Sequence, residues 1–197
     1  MNEILKEYRL LTKEVDEQTA GLRTQLGEQM LCPPNCYGCC ITTATLPVSE
    51  VEGLDLKDGL TTLPKSVRNY VLRKADRTIR KLASSGYSLE NIVPDSGNKA
   101  LDSIKGSLET ECPLLIAGVC SVYNHRPILC RIWGYPMFNG NEVACCRRTF
   151  KGKKDKVKPI DYTYYWHEIK NLSKRLGADE KTPICFLVVR LLESLSR

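Results

Sequence analysis

Apolar residues recur every three to four positions along residues 3–30, the spacing that places side chains on one face of an α-helix. The stripe is interrupted at Gln18, and Gly27 marks the predicted end of the helix. The apolar residues on this face are Ile4, Leu5, Tyr8, Leu11, Val15, Leu22 and Leu26. The pattern therefore predicts an amphipathic first helix that ends just before a cluster of cysteines.

Two further helices are predicted in the first half of the chain. Ser49 is followed three residues later by Glu52, the pairing typical of a helix N-terminus, and Pro64 is typical of a helix start. The helix after Pro64 has a buried stripe made of Val67, Val71, Leu72, Ile79 and Leu82. It also carries a basic run, "PKSVRNYVLRKADRTIRKLA".

The second half divides into an irregular region and two closing helices. Glycine and proline are frequent between Cys112 and Cys146, which predicts loops and short pieces, and residues 161–176 and 183–196 show helical periodicity. The predicted fold class is mainly α, with little or no sheet. We expect one domain over residues 1–197, in which helices flank an irregular cysteine-rich core at about 28–150.

The most informative feature of the composition is the number of cysteines. The chain has 197 residues, of which 42% are hydrophobic and 10 are cysteine. A chain of this length can bury about 70% of its unfolded surface, so it does not need disulfides to hold a core together. The start "MNEILKEYRLLTKEVDEQ" has no apolar run of the signal-peptide type, and "CPLLIAGVC" and "CFLVVRLL" are too short to span a bilayer. We therefore expect a cytoplasmic protein with no membrane partner, whose reduced thiols bind a metal or act in catalysis.

The spacing of the cysteines indicates which thiols can share one site. The stretch "LCPPNCYGCC" has the spacing Cys32-x3-Cys36-x2-Cys39-Cys40, and Cys112-x7-Cys120-x9-Cys130 follows downstream. Cys36 can share a site with either member of the adjacent pair, because spacings of three and four place thiols on one side of a turn. The side chains of adjacent residues diverge. Cys39 and Cys40 therefore fit either two adjoining sites or one site in which the second thiol packs.

These motifs resemble one known family. The shared elements are Cys36-x2-Cys39-Cys40, Cys112-Pro113-Leu114 and "CSVYNHRPILCR", with Gly134-x-Pro136 after them. This chain is similar in these features, over roughly residues 28–150, to the YkgJ-like or CxxCxxCC cysteine-cluster proteins, described as a zinc- or iron-chelating domain. The resemblance implies a metal site with the ligands Cys32, Cys36, Cys39, Cys40, Cys112, Cys120, Cys130 and Cys146.

Some positions depart from the family pattern. Its more widespread motif has two residues between the first two cysteines, which sets Cys32 apart, and Cys145 is the alternative ligand to Cys146. Cys185 lies outside the pattern in the apolar "ICFLVVRLL" and is predicted to be a buried structural residue. His125, inside "YNHRPILC", either approaches the thiolates or is an exposed turn residue.

Thiolate ligands suit zinc and iron–sulfur clusters alike. We expect an iron–sulfur cluster of the 4Fe–4S type, in a structural or electron-transfer role, because the irregular wrapping is unlike paired zinc knuckles. A structural zinc protein that binds nucleic acid or another protein is the alternative. The formal charge of +6 and the run "RRTFKGKKDKVK" allow nucleic acid but do not favour it, because aromatic residues are not interleaved with the basic ones. Solvated basic segments, or cations that offset an anionic thiolate site, explain the same charge.

Enzyme classes fit less well. Cys32, Cys36 and Cys39 match the CxxxCxxC spacing of enzymes that cleave S-adenosylmethionine, but the motif follows a predicted helix instead of a barrel strand. A protein-lysine methylase containing a cluster is a further alternative, since some family members are named for it, although no Gly-rich turn follows a strand to hold a methyl donor. The sequence identifies no catalytic residue.

Overall fold

The computed structural model describes residues 2–30, 36–89, 110–146 and 150–195, and within these ranges the chain is mainly helical. The α-helices are α1 (Asn2–Leu26), α2 (Glu50–Thr61), α3 (Lys65–Ser84), α4 (Ile128–Ile132), α5 (Tyr162–Arg175) and α6 (Ile184–Ser194). The strands, each two residues long, are β1 (Pro47–Val48), β2 (Leu115–Ile116), β3 (Val119–Cys120), β4 (Met137–Phe138), β5 (Val143–Ala144), β6 (Ile160–Asp161) and β7 (Thr182–Pro183). The predicted mainly α class is confirmed.

Helix α1 runs without a break through the predicted gap at Gln18. Its buried face includes Thr12 and Thr19 between apolar residues such as Tyr8 and Val15. Each threonine hydroxyl donates to a carbonyl three residues earlier, which is Arg9 O at 2.9 Å for Thr12 and Asp16 O at 3.0 Å for Thr19. Because these bonds satisfy the hydrogen-bonding capacity of the buried hydroxyls, threonine can occupy two positions on the buried face where an apolar residue would be expected. The helix ends before Gly27, which has a φ of 48°.

The predicted starts of α2 and α3 are confirmed. At α2, the Ser49 backbone N–H donates to Glu52 Oε2 at 3.0 Å, and the Ser49 hydroxyl donates to the same oxygen at 2.8 Å. These bonds satisfy polar groups at the helix end that would otherwise lack a partner. Helix α3 follows Pro64 directly. Its buried residues are Val71, Ala75 and Leu82, while Val67, Leu72 and Ile79 lie at the edges of the stripe.

Two compact units make up the chain. The first unit comprises Met1–Pro34 and Arg126–Asp179, and the second comprises Asn35–His125 and Glu180–Arg197. The expectation of one domain over residues 1–197 remains a prediction, because a compact unit need not be able to fold alone.

The first unit packs α1 against α4 and α5 and contains a small sheet. The strand order is β5-β4-β6, with β4 antiparallel to β5 and parallel to β6. Arg131 on α4 is buried; its Nη1 donates to Asp16 Oδ2 at 2.6 Å and its Nε to Arg126 O at 2.9 Å. Arg131 therefore ties α4 to α1 and to the turn that precedes α4.

The second unit packs α6 against α2 and α3, and β1 pairs antiparallel with β7. Leu56, Leu60, Leu187 and Val188 are fully buried in this unit. Cys185 is also fully buried, in a cluster with Ala44 and Leu82. The prediction that Cys185 is buried is thus confirmed. No helix in the described part of the chain is long and apolar enough to cross a membrane.

Candidate metal centre

The "CYGCC" segment folds into a tight turn in the second unit. The Cys40 N–H donates to Tyr37 O at 2.8 Å, and the Thr42 N–H donates to Cys39 O at 3.3 Å. A single turn of 3-10 helix covers Cys40–Thr42. Cys39 and Cys40 are partly exposed, and Cys36 at the start of the segment is exposed. The turn therefore presents neighbouring thiols near the surface of this unit.

A β-hairpin carries Cys120 of the same unit and follows Cys112. Strands β2 and β3 pair antiparallel, so that Leu115 lies opposite Cys120. The connecting residues Ala117 and Gly118 have φ values of 48° and 79°. Two successive positive φ values are typical of the tight turns whose twist matches that of a two-stranded hairpin. The hairpin returns the chain towards Cys112, which directly precedes it.

Backbone hydrogen bonds join the turn to the start of the hairpin. The Cys112 N–H donates to Cys40 O at 2.8 Å, and the Ala44 N–H donates to Thr110 O at 3.1 Å. At the hairpin tip, a Cβ placed on Gly118 would lie 3.3 Å from Tyr37 Cε1, so the tyrosine ring packs directly over that glycine. Four predicted ligands, Cys39, Cys40, Cys112 and Cys120, therefore lie on adjacent segments of one unit.

Burial and neighbouring charge act in opposite directions on Cys112. Burial raises the pKa of the Cys112 thiol to about 12, and the nearby Cys120 thiol also raises it. The ammonium group of Lys74 lowers the same pKa, and so does a backbone hydrogen bond at Leu114. Lys74 donates to the Leu115 carbonyl and to the Glu111 carboxylate. A lysine of the basic helix α3 is therefore fixed beside the cysteine segments.

Two more predicted ligands lie in the first unit. Cys130 is on α4, where its N–H donates to Pro127 O at 3.0 Å. The Cys146 N–H donates to Gly134 O at 3.4 Å, and its carbonyl accepts from the Phe150 N–H at 2.9 Å. These bonds fix the backbone of Cys146 close to the segment after Cys130. Cys145 is also partly exposed, so the choice between Cys145 and Cys146 as ligand remains open.

Cys32 lies outside the described residues.

His125 lies beside a buried carboxylate of α2. Its Nδ1 lies 3.2 Å from Oδ2 of Asp55, whose side chain is only 3% exposed. Sequence reasoning missed this pair, although Val51, Asp55 and Gly59 recur at a spacing of four, which places Asp55 on the buried face of α2. His125 therefore pairs with a buried carboxylate on α2.

The cysteine thiols are ligands of the kind that soft metals prefer. Cysteine thiolates are the ligands typical of zinc and of iron–sulfur clusters. Within the described residues, however, no group of three or more His, Cys, Asp or Glu side chains is placed to hold a metal ion. In the second unit, the structure brings the backbones of the Cys40 and Cys112 segments together.

Comparison with known proteins adds no further assignment. No protein-family model matches this chain, and neither a curated protein nor a solved structure matches it.

Proposed function

We propose that this protein is a metal-binding protein that holds an iron–sulfur cluster of the 4Fe–4S type through cysteine thiolates, in a structural or electron-transfer role. The observation that carries the proposal is the pairing of the "CYGCC" turn with the segment that leads into the hairpin, through the Cys112–Cys40 and Ala44–Thr110 backbone hydrogen bonds. Segments some 70 residues apart in sequence meet at their cysteines. A metal would then cross-link the loops that these bonds align.

The surroundings of Cys112 support an anionic site. Four thiolates around a dication, or around a doubly charged iron–sulfur core, leave a net charge of about −2, which nearby cations stabilise. Lys74 lies close enough to Cys112 to lower its pKa, and its hydrogen bonds to Leu115 O and Glu111 hold it there. Part of the basic run of α3 therefore has an electrostatic role that requires no nucleic acid.

The role of the bound group follows from where the cysteines lie. Cys39 and Cys40 lie on a turn, Cys120 lies on a two-residue strand, and Cys130 lies on the short helix α4, so the thiols are carried by short elements. A cluster supplies strong metal–sulfur bonds and the capacity to exchange one electron. The chain's own contribution is to align the thiols, to keep Cys112 from solvent and to place Lys74 beside it.

A structural zinc protein that docks on nucleic acid is the second candidate, because one face of α3 supports it. Arg73, Arg77 and Arg80 recur at spacings of three and four along this face and are exposed. Tyr70, three residues before Arg73, is 48% exposed. Regularly spaced arginines next to an exposed aromatic ring could contact a phosphate backbone.

We also propose a cytoplasmic location, where thiols stay reduced.

Three cysteine substitutions test the ligand assignment. We expect Cys36→Ser, Cys120→Ser and Cys130→Ser each to lower bound metal per chain and the melting temperature together, because the free energy of metal binding becomes free energy of folding. Iron, zinc and acid-labile sulfide are measured on each variant after anaerobic purification, beside thermal unfolding followed by circular dichroism.

Cys185→Ser is the matched control. It removes one thiol from the buried apolar cluster and should leave metal content unchanged, even though a buried hydroxyl costs about 1–3 kcal/mol of stability when it lacks a partner. Retained metal and an unchanged melting temperature in all three test variants would refute the assignment. Loss of zinc instead of iron and sulfide would select the second candidate.

A further inference from the structure

A pocket of about 420 Å³ lies in the first unit, between the end of α1 and the loop that follows Phe150. No cysteine of the described residues lines it. Its lining residues are Gln25, Leu26, Gln29, Lys151, Gly152, Lys153, Lys156 and Val157. This volume is in the range of about 300–1,000 Å³ that is typical of small-molecule sites.

The two walls of the pocket are joined by backbone contacts. The Lys151 N–H donates to Gln29 O at 2.9 Å, and Met30 forms an isolated antiparallel bridge with Phe150. Gly152 lets the loop approach closely, because a Cβ at this position would overlap Gln29 Oε1 and lie 2.8 Å from Phe150 Cζ. The lysine loop is therefore held against the end of α1 by bonds and by a glycine that no larger residue could replace without movement.

The lining combines positive charge with amide groups. Lys151, Lys153 and Lys156 supply three ammonium groups, and Gln25 and Gln29 supply side-chain amides that can donate hydrogen bonds. No carboxylate of the described residues lines the pocket, and Glu28 in the adjoining turn is not part of its wall. Ion pairs among the described side chains do not include Lys153 or Lys156.

Stabilising the end of α1 does not account for this charge. The C-terminus of a helix carries a partial charge of about −0.5, which attracts nearby cations. Three ammonium groups exceed that charge several-fold, so the helix end alone does not account for them. Leu26 and Val157 add an apolar wall that an inorganic ion would not use and an organic group would.

We propose that this pocket binds a small phosphorylated molecule, with the lysine ammonium groups and the glutamine amides on its phosphate oxygens. Lysine binds phosphate as a mobile point charge with three donors. The apolar wall would contact the organic part of the ligand. This site is separate from the proposed metal centre, and its test does not depend on bound metal.

The test uses inorganic pyrophosphate and adenosine diphosphate as probes on the full-length protein. We expect saturable binding of both by calorimetry, with chemical-shift changes in the side-chain amide signals of Gln25 and Gln29 in a two-dimensional ¹H–¹⁵N spectrum. Tighter binding of the nucleotide than of pyrophosphate is the expected contribution of the apolar wall.

Matched substitutions locate the binding. The double variant Lys153→Gln, Lys156→Gln should weaken pyrophosphate binding at least about tenfold, which corresponds to about 1.4 kcal/mol. Lys154→Gln removes one positive charge from the same loop but outside the lining, and should alter affinity less than about twofold. Gly152→Ala should also weaken binding, because the added Cβ pushes the loop away from Gln29.

Three results would overturn the proposal. The first is no saturable binding of either probe at millimolar concentration. The second is an equal loss of affinity in Lys154→Gln, which would mean diffuse attraction to the loop. The third is binding of single-stranded RNA alone, without shifts of the two glutamine amides, which would make the lysines part of an extended nucleic-acid surface.

Discussion

The helices of the second unit and the cysteine-bearing segments of the same unit are held in different ways. Helices α2, α3 and α6 bury a continuous set of apolar side chains, including Val51, Val71 and Leu187. The cysteine segments, at 36–46 and 110–122, also add buried residues such as Ala44 and Leu114 to the core, but most of their thiols are not buried, and backbone hydrogen bonds such as Cys112 to Cys40 link the two segments. The helices therefore depend on apolar burial, whereas the thiol-bearing turns combine limited burial with individual hydrogen bonds.

The magnitudes explain why this difference matters. Burying one large apolar side chain contributes about 1.5–3 kcal/mol, whereas one hydrogen bond contributes about 0.5–1.5 kcal/mol net. Ordering each residue of a loop costs about 1–2 kcal/mol of backbone entropy. The helices can offset that cost by burial. Around the partly exposed thiols there is less burial to offset the cost, and the metal–thiolate bonds that we propose would add stability there.

Metal removal should have the largest effect, and the effect should be local. We expect chelation of the purified protein to lower hydrogen-exchange protection of the amides at 40–44 and 112 by at least about a hundredfold, because metal binding stabilises loops directly. Amides of α3 and α6 should lose less than about tenfold. Hydrogen exchange read by mass spectrometry before and after chelation measures both. Equal loss in the helices and in the cysteine segments would contradict the division described above.

A pair of glycine substitutions in α2 should have an intermediate effect. A Cβ at Gly59 would lie 2.8–2.9 Å from the ring and Cβ of His125, so Gly59→Ala must displace the turn that pairs with Asp55. Overpacking of this kind costs about 1–3 kcal/mol. Gly53→Ala is the control, because the atoms nearest to its Cβ would be those of Leu187 at ordinary contact distance, and it should stabilise the helix by about 0.5–1 kcal/mol.

Chemical denaturation of both variants measures this contrast. Destabilisation of the two variants to the same extent would show that His125 is not held against α2. Because neither substitution touches a cysteine, metal content should stay at the wild-type level in both.

The smallest effect is expected at the start of α5. The Asp161 carboxylate accepts hydrogen bonds from the Thr163 hydroxyl at 2.5 Å and the Thr163 N–H at 2.9 Å. The bond from the Thr163 hydroxyl is the main reason why the pKa of Asp161 lies below its usual value. Asp161→Ala should cost about 1 kcal/mol, the usual value of an N-terminal helix cap.

The pH dependence of this effect has a definite sign. A carboxyl with a lowered pKa in the folded state stabilises the protein above its unfolded pKa of about 3.9 and loses that contribution as the pH falls through the folded value. The difference in stability between wild type and Asp161→Ala should therefore be constant near pH 7 and shrink below about pH 4. A difference that grows on acidification would contradict the capping role.

Sequence pattern predicted the helices well and the cysteine segments less well, for physical reasons. Helix starts depend on local signals, such as Ser49 with Glu52, that can be read directly. The sequence pattern did not predict the hairpin, because Ala117 adopts a positive φ that cannot be predicted from an alanine. The meeting of Cys40 with Cys112 depends on a long-range backbone bond, and no periodicity encodes it. Likewise, nothing in the basic run distinguished Lys74 from its neighbours.

The most direct test of the central claim is iron, zinc and acid-labile sulfide analysis, with an absorption spectrum, on protein purified anaerobically without added metal. We expect brown protein that contains iron and sulfide in equal amounts, with broad charge-transfer absorption in the visible range. Colourless protein with stoichiometric zinc would contradict the iron–sulfur proposal and leave a structural metal site. Protein that contains neither metal would contradict the proposed metal centre itself.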